Sequence, residues 1–377
     1  MPTRSLIPFT LEDFFDTYEH RADLINLASS DALPWSAADL RSKGVSLSQD
    51  REYLLQYPDV LGLLSSGFTR FCQPPEGIGV LATAGAADAI ALVMHELATN
   101  DEQGHDRPIG VPRPSFGAFR GLSRMLGLAT DTYDYHLSRG WTPDSEELLN
   151  LSRRCRALVV INAHNPSGQV LSHETLATLA GELASRNGIL IVNEVFRVLG
   201  EAPSAIDLGS HVVVIGSLSK TYGLPGLRLG WITANDVRLK RLRTVQQYLT
   251  LSLNTLAAAF GAAVLERPRE FSRAELIRDN RRILTEWAHK HEGLVSISTP
   301  SGGTTVCLTV HAAIEEDTLL EDLLKEGVLL APGGRCFDFP HRAPWFRLGY
   351  GGDPAVLRSG LGRASTVIKR LKPSAHL

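Results

Sequence analysis

Cysteine is scarce in this chain: four thiols, Cys72, Cys155, Cys307 and Cys336, are scattered over 377 residues without a CxxC pair or metal-ligand spacing. That argues against a disulfide framework and a zinc site, and for buried thiols in a reducing compartment. An excess of one charge is lacking too, with 38 Lys plus Arg against 41 Asp plus Glu and a formal net charge of -3. No overall field therefore favours nucleic acid or an anionic membrane surface. No apolar run approaches the roughly 18 residues of a membrane span, and the opening MPTRSLIPFTLEDFF has no apolar signal-peptide core. The expectation is a cytoplasmic protein with no metal, membrane or nucleic-acid partner. A Rossmann phosphate loop is also a poor fit to residues 217–230, since Gly223, Gly226 and Gly230 do not follow GxGxxG spacing.

What is present is an alternation of short apolar strands with helical stretches, the rhythm of an α/β fold. Ile78 to Leu81, Ile109 to Val111, Ala157 to Ile161, Ile189 to Val192 and Val212 to Ile215 read as buried strands. Each runs into polar or glycine-containing sequence, and ligands of open α/β sheets bind outside the carboxyl ends of strands. Ser172 caps a predicted helix with Leu176, Leu179 and Leu183 on one face, stopped by Asn187-Gly188. After about Leu251 a long helical tract leads to strands Leu294 to Ile297 and Thr305 to Val310 and a last helix over Pro354 to Leu371. The length exceeds what one core usually organises. Three segments are expected: 1–45 as an arm and part of a small domain, 46–275 as the large domain, and 276–377 as the rest of the small domain.

The stretch Ser217-Leu-Ser-Lys-Thr-Tyr-Gly-Leu-Pro-Gly-Leu-Arg-Leu-Gly230 places one lysine after two hydroxyls and eight positions before an arginine. A lysine amine attacks a carbonyl when unprotonated, and the aldehyde of pyridoxal phosphate is one common target. Such a site needs a phosphate cradle. Gly85 and Ala86 open a helical tract whose backbone N–H groups suit a phosphate, and Ser217, Ser219 and Arg228 would complete it with charge-assisted bonds. Singly, each residue has a bland reading: Phe116 as core, Arg347 as an ion-pair partner, Asn165-Pro166 as a turn. Their order along one α/β chain is what carries weight.

From about Asn26 to Gly360 the combination resembles the class I/II aminotransferase superfamily, the fold-type-I pyridoxal-phosphate enzymes. S-x-S-K followed by G-x-R-x-G and Asn165-Pro-Ser-Gly168 are its specific marks. The resemblance implies a mostly parallel seven-stranded sheet with a smaller α+β domain. It implies Lys220 as the lysine bonded to the cofactor and the proton carrier. Gly85, Ala86, Ser217, Ser219 and Arg228 would hold the phosphate, Phe116 would stack on the ring, and Asn165 would bond the ring oxygen. Arg347 would clamp the substrate carboxylate. Tyr57, reaching the neighbouring subunit's phosphate, would imply a homodimer with shared sites.

Two positions depart from the family pattern: Asn193 stands where aspartate is usual and Phe196 where tyrosine is usual. A neutral Asn193 cannot keep the ring nitrogen protonated as aspartate does, which weakens the electron sink. Either this is drift in a slow aminotransferase, or Glu194 takes over, or full transamination is not the main task. Ser30 replaces a usual glycine, so the substrate pocket is altered, and Pro8-Phe-Thr-Leu-Glu12 is read as a lid bringing Thr10 or Glu12 to substrate, or as a frayed first helix. Within the superfamily the motifs are most similar to capreomycidine-synthase-like and enduracididine-forming cyclases. That implies an arginine-like L-amino acid, α-deprotonation, then β- or γ-elimination, replacement or cyclisation. A conventional aminotransferase is the alternative.

Overall fold

The computed structural model describes residues 4–45, 58–100 and 106–371. Its centre is a sheet of eight strands in the order Ile78–Thr83, Gly230–Asn235, Val212–Ser217, Ile189–Asn193, Ala157–Ile161, Ile109–Arg113, Thr130–His136 and Thr142–Pro143. Gly230–Asn235 runs antiparallel to both neighbours, Thr142–Pro143 is antiparallel to its neighbour, and the remaining pairs are parallel. Seven strands match the expectation; the eighth is a two-residue edge that no apolar run announces.

The inner strands are apolar throughout because both faces of a parallel sheet are covered. Alternate residues go to opposite sides: Leu158, Val160, Leu190, Val192, Val212 and Val214 enter one core cluster, and Ala157, Val159, Ile189, Ile191, Val213 and Ile215 enter the other. Ser172 does cap its helix, accepting from the Thr175 N–H, and Leu176, Leu179 and Leu183 are buried in His173–Ala184. Of the seven longer strands, Thr130–His136 and Gly230–Asn235 lie outside the apolar runs that mark the other five. The first reads TDTYDYH, with only Tyr133 and Tyr135 buried, so its apolar signal is aromatic and intermittent.

A second sheet, Val295–Ile297, Thr305–Val310, Trp345–Gly349 and Ala331–Pro332, is antiparallel, and sets Arg347 opposite Cys307 and Ala331. Ile25–Asn26 pairs in parallel with Val328–Leu329, which brings the early chain beside this late part. The helices Ala274–Lys290 and Pro354–Ile368 are joined by the Trp287 indole donating to Ser365 Oγ at 2.8 Å. Among the described residues no helix is long and apolar enough to cross a membrane.

Register puts the site at one edge of the large sheet. Thr83 and Ser217 both lie opposite Gly230, and Ile161, Asn193 and Ile215 are aligned. The carboxyl ends of four strands therefore open on the same side as the N-terminus of the helix Ala86–Thr99.

Candidate active site

A cavity of about 530 Å³ lies at that edge, lined by Lys220, Ser217, Ser219, Arg228, Ala86, Phe116, Asn165, Asn193, Phe196, Ser30, Glu12 and Arg347, among others. Segments from both sheets and from the early chain thus meet around one space. Gly85 directly precedes Ala86 there, and Tyr57 falls outside the described residues.

One end is built for an anion. Gly85 begins the helix Ala86–Thr99 with φ +87° and ψ 176° and caps it with no side chain, leaving first-turn N–H groups available. A Cβ on Gly85 would sit 2.6 Å from Arg228 Nη2, so glycine is what lets the guanidinium reach the helix end. Arg228 Nη1 donates to the Pro225 carbonyl at 3.1 Å and to Ser219 Oγ at 3.4 Å, and no carboxylate pairs with it among the described residues. Ser217 Oγ lies 2.8 Å from Ser219 Oγ and accepts from the Ser219 N–H, which fixes the turn that leads into Lys220.

Lys220 Nζ donates to Asp31 Oδ1 at 2.8 Å. Asp31 lines the cavity and is a candidate site residue that sequence reasoning missed. It arrives on a turn in which Asn26 Oδ1 accepts from the Ala28 and Ser29 N–H groups and Ser29 Oγ binds Asp31 Oδ2. Its one signal is its place beside Ser30 in Asn26-Leu-Ala-Ser-Ser-Asp31.

At the other end Arg347 is buried, 1% exposed. Its Nε and Nη2 donate to the Ala28 carbonyl at 3.2 and 2.7 Å, and Nη1 to Asn165 Oδ1 at 3.3 Å. Burial brings its pKa down to about 10, with nearby Cys336, Asp31 and Glu12 opposing the shift, so it is cationic at neutral pH. Among the described residues no carboxylate touches it. A buried cation without an anion is costly, and an incoming carboxylate would relieve that cost.

Asn193 Oδ1 accepts from the Val195 N–H at 3.1 Å. A backbone N–H needs an oxygen, so the amide orientation is decided and its NH2 is the group left for the cavity. Glu194 does not substitute for it. Its buried carboxylate accepts from the Ala205 N–H and Ser204 Oγ and pairs with Arg197 Nε at 2.9 Å. Burial raises its pKa, and Arg197 pulls it back. Arg197 is thereby an ion-pair partner.

The two candidates on the N-terminal segment divide. Glu12 faces the cavity on the helix Thr10–Tyr18, its pKa raised by partial burial and lowered again by Lys220 and Arg347. Thr10 does not line this cavity; its hydroxyl donates to the Cys336 carbonyl at 3.1 Å, because at the start of the helix it turns towards that neighbouring backbone. His164 and Trp231 are packed rather than open. His164 is stacked on Tyr135 at 3.5 Å, and burial lowers its pKa to about 3. Trp231 packs on Phe68 and Phe71.

Residues 76–363 match the family Aminotransferase class I and II. The chain belongs to that family: it is an enzyme of the aminotransferase fold, with pyridoxal phosphate as cofactor. It is similar to capreomycidine synthase of Streptomyces vinaceus, 30% identical over 302 residues that cover 78% of this chain and 75% of that enzyme. It is also 30% identical over 318 residues to nicotianamine aminotransferase B of Hordeum vulgare, covering 78% of this chain and 56% of that protein. The crystal structure of the PLP-dependent cyclase OrfR matches with a TM-score of 0.80 at 25% identity, over 98% of this chain and 99% of that one.

Proposed function

We propose that this enzyme takes an arginine-like L-amino acid, removes its α-proton, and completes a β- or γ-elimination, replacement or cyclisation that keeps the α-amine. The observation that carries the reading is Asn193: an amide donor stands where a carboxylate would hold the ring nitrogen protonated. When bound, pyridoxal phosphate draws electrons from the substrate Cα and so acidifies its proton. A donor at Asn193 suits an unprotonated ring nitrogen, a weaker sink, and Phe196 has no hydroxyl for the ring oxygen. Both features disfavour full transamination.

The chain's own groups take separate roles. Gly85, Ala86, Ser217, Ser219 and Arg228 hold the phosphate, Phe116 covers the ring face and Asn165 meets the ring oxygen. Arg347 binds the substrate carboxylate, and Lys220 Nζ, released from Asp31, takes the α-proton. Asp31 and Glu12 then face a cationic side chain, and Ser30 shapes the wall beside them. A cytoplasmic homodimer in which Tyr57 reaches the partner's phosphate belongs to the same reading. Similarity to capreomycidine synthase and to OrfR supports it. Similarity to nicotianamine aminotransferase B favours the conventional aminotransferase as the second reading.

The deciding experiment incubates cofactor-loaded protein with amino acids, hydroxylated arginines included, without an oxo acid, and follows product mass. Multiple turnovers to a dehydrated, cyclised or substituted product that retains its amine support the reading. A single stoichiometric half-reaction, catalytic only with added oxo acid, establishes the aminotransferase instead.

Asn193→Asp keeps an oxygen for the Val195 N–H while presenting a charge. Hydrogen bonds to charged groups exceed neutral ones by about 1–1.5 kcal/mol, roughly tenfold. Exchange of the substrate α-hydrogen with deuterated water should accelerate by about that factor; slower exchange would sink the weak-sink argument. Gly85→Ala meets both a backbone region nearly confined to glycine, costing about 1–3 kcal/mol, and the Arg228 guanidinium. Cofactor affinity, read by equilibrium dialysis, should drop roughly tenfold to a hundredfold. Unchanged affinity would place the phosphate elsewhere.

A further inference from the structure

The 530 Å³ cavity has a neighbour of about 370 Å³. This second cleft is mostly apolar, with Ile7, Pro8, Ala91, Leu122, Met125 and Phe337 in its walls. Among the described residues the two share just Phe9 and Ala87 in their linings. Phe9 is therefore the large side chain between them.

Its position is held from both sides. The Phe9 ring lies 5.1 Å from Phe116, tilted by 56°. It rests against Gly117, where an added Cβ would come within 3.1 Å of Cε2 and 3.4 Å of Cδ2. The Phe9 carbonyl accepts from the Glu12 and Asp13 N–H groups, and Thr10 Oγ1 binds the Cys336 carbonyl. Upstream, the Ser5 N–H reaches the Arg124 carbonyl at 3.4 Å. Two small residues of the second cleft, Ala87 and Ala91, are four apart on one face of the helix Ala86–Thr99. The two arginines of the cleft are engaged, Arg113 with Asp134 and Arg120 with Asp338, both at 2.9 Å. The chemistry left for an occupant is apolar.

We infer that Phe9 is a specificity-determining partition. It closes the Lys220 cavity against the apolar cleft and so limits substrates to side chains that end among Glu12 and Asp31. Removing the ring joins the two spaces and admits amino acids with long aliphatic side chains. The inference rests on the Lys220 cavity being the amino-acid site, and it is independent of which reaction follows α-deprotonation.

The test titrates cofactor-loaded protein with L-arginine and with L-2-aminodecanoate, using the cofactor's absorbance to obtain each Kd. Each methylene newly buried in an apolar cleft contributes roughly fourfold. Phe9→Ala should shift the affinity ratio towards L-2-aminodecanoate by at least about tenfold, the contribution of roughly two methylenes. Phe9→Leu, which keeps an apolar anchor for the segment, should shift it less and in the same direction. Adding Ala91→Leu, which fills only the second cleft, should reverse the gain. An unmoved ratio in both Phe9 variants, with wild-type binding intact, overturns the partition alone. A gain that Ala91→Leu leaves in place also overturns it, since a loosened lid would then be the cause. Absence of any wild-type absorbance response to either amino acid overturns the substrate-site reading and the partition together.

Discussion

Lys220→Ala should bind pyridoxal phosphate yet form no bond to it. Lys220 is the one lysine among the described residues lining the cavity, so after borohydride treatment the intact-protein mass should show no added cofactor. The phosphate-binding groups are untouched by the change, and dialysis should still find cofactor associated with the protein. Turnover should be lost beyond detection. A positioned proton carrier alone contributes about 10²–10⁴ in rate, and the covalent attachment is removed with it. Folding should be little affected, because the Lys220–Asp31 pair is partly open, at 24% and 37% side-chain exposure, and such pairs contribute about 0–1 kcal/mol. A trapped adduct that persists in this variant would move the covalent site to another lysine.

Arg347→Ala is expected to separate substrate binding from cofactor binding. The guanidinium is a rigid fork whose buried position excludes water, and charge-assisted bonds to a carboxylate contribute about 1.5–3 kcal/mol each. Losing two such bonds should raise the amino-acid Kd by about a hundredfold or more. The cofactor spectrum without amino acid should change little. Arg347→Lys retains charge but not the fork, so its Kd should fall between wild type and the alanine variant. The alanine variant should also be less stable, because the Ala28 carbonyl and Asn165 Oδ1 lose their donor, at about 1–3 kcal/mol per unsatisfied buried group. Unchanged amino-acid affinity in a folded Arg347→Ala protein would remove Arg347 from the carboxylate role.

Much of the architecture is legible in the order of amino acids alone. Ala157–Ile161 and Thr305–Val310 coincide with their apolar runs, and the Ser172 cap and its buried leucines lie where periodicity puts them. The motif residues Lys220, Arg228, Asn165 and Arg347 are legible because each belongs to a short ordered signature. Three contacts are not. Asp31 meets Lys220 across 189 positions, Thr10 turns from the cavity to the Cys336 carbonyl, and Phe9 lies against Gly117. No periodicity or motif marks any of them.

Local chemistry along the chain is enough to set the α/β rhythm, the strand-end loops and the order of the cofactor motif, since side-chain alternation, helix capping and turn chemistry act over a few residues. Long-range packing was needed to pair an N-terminal aspartate with the lysine and to bring Glu12 and Arg347 to the same cavity as Lys220. Those outcomes depend on which surfaces pack together and on which backbone N–H groups must find an acceptor once water is excluded.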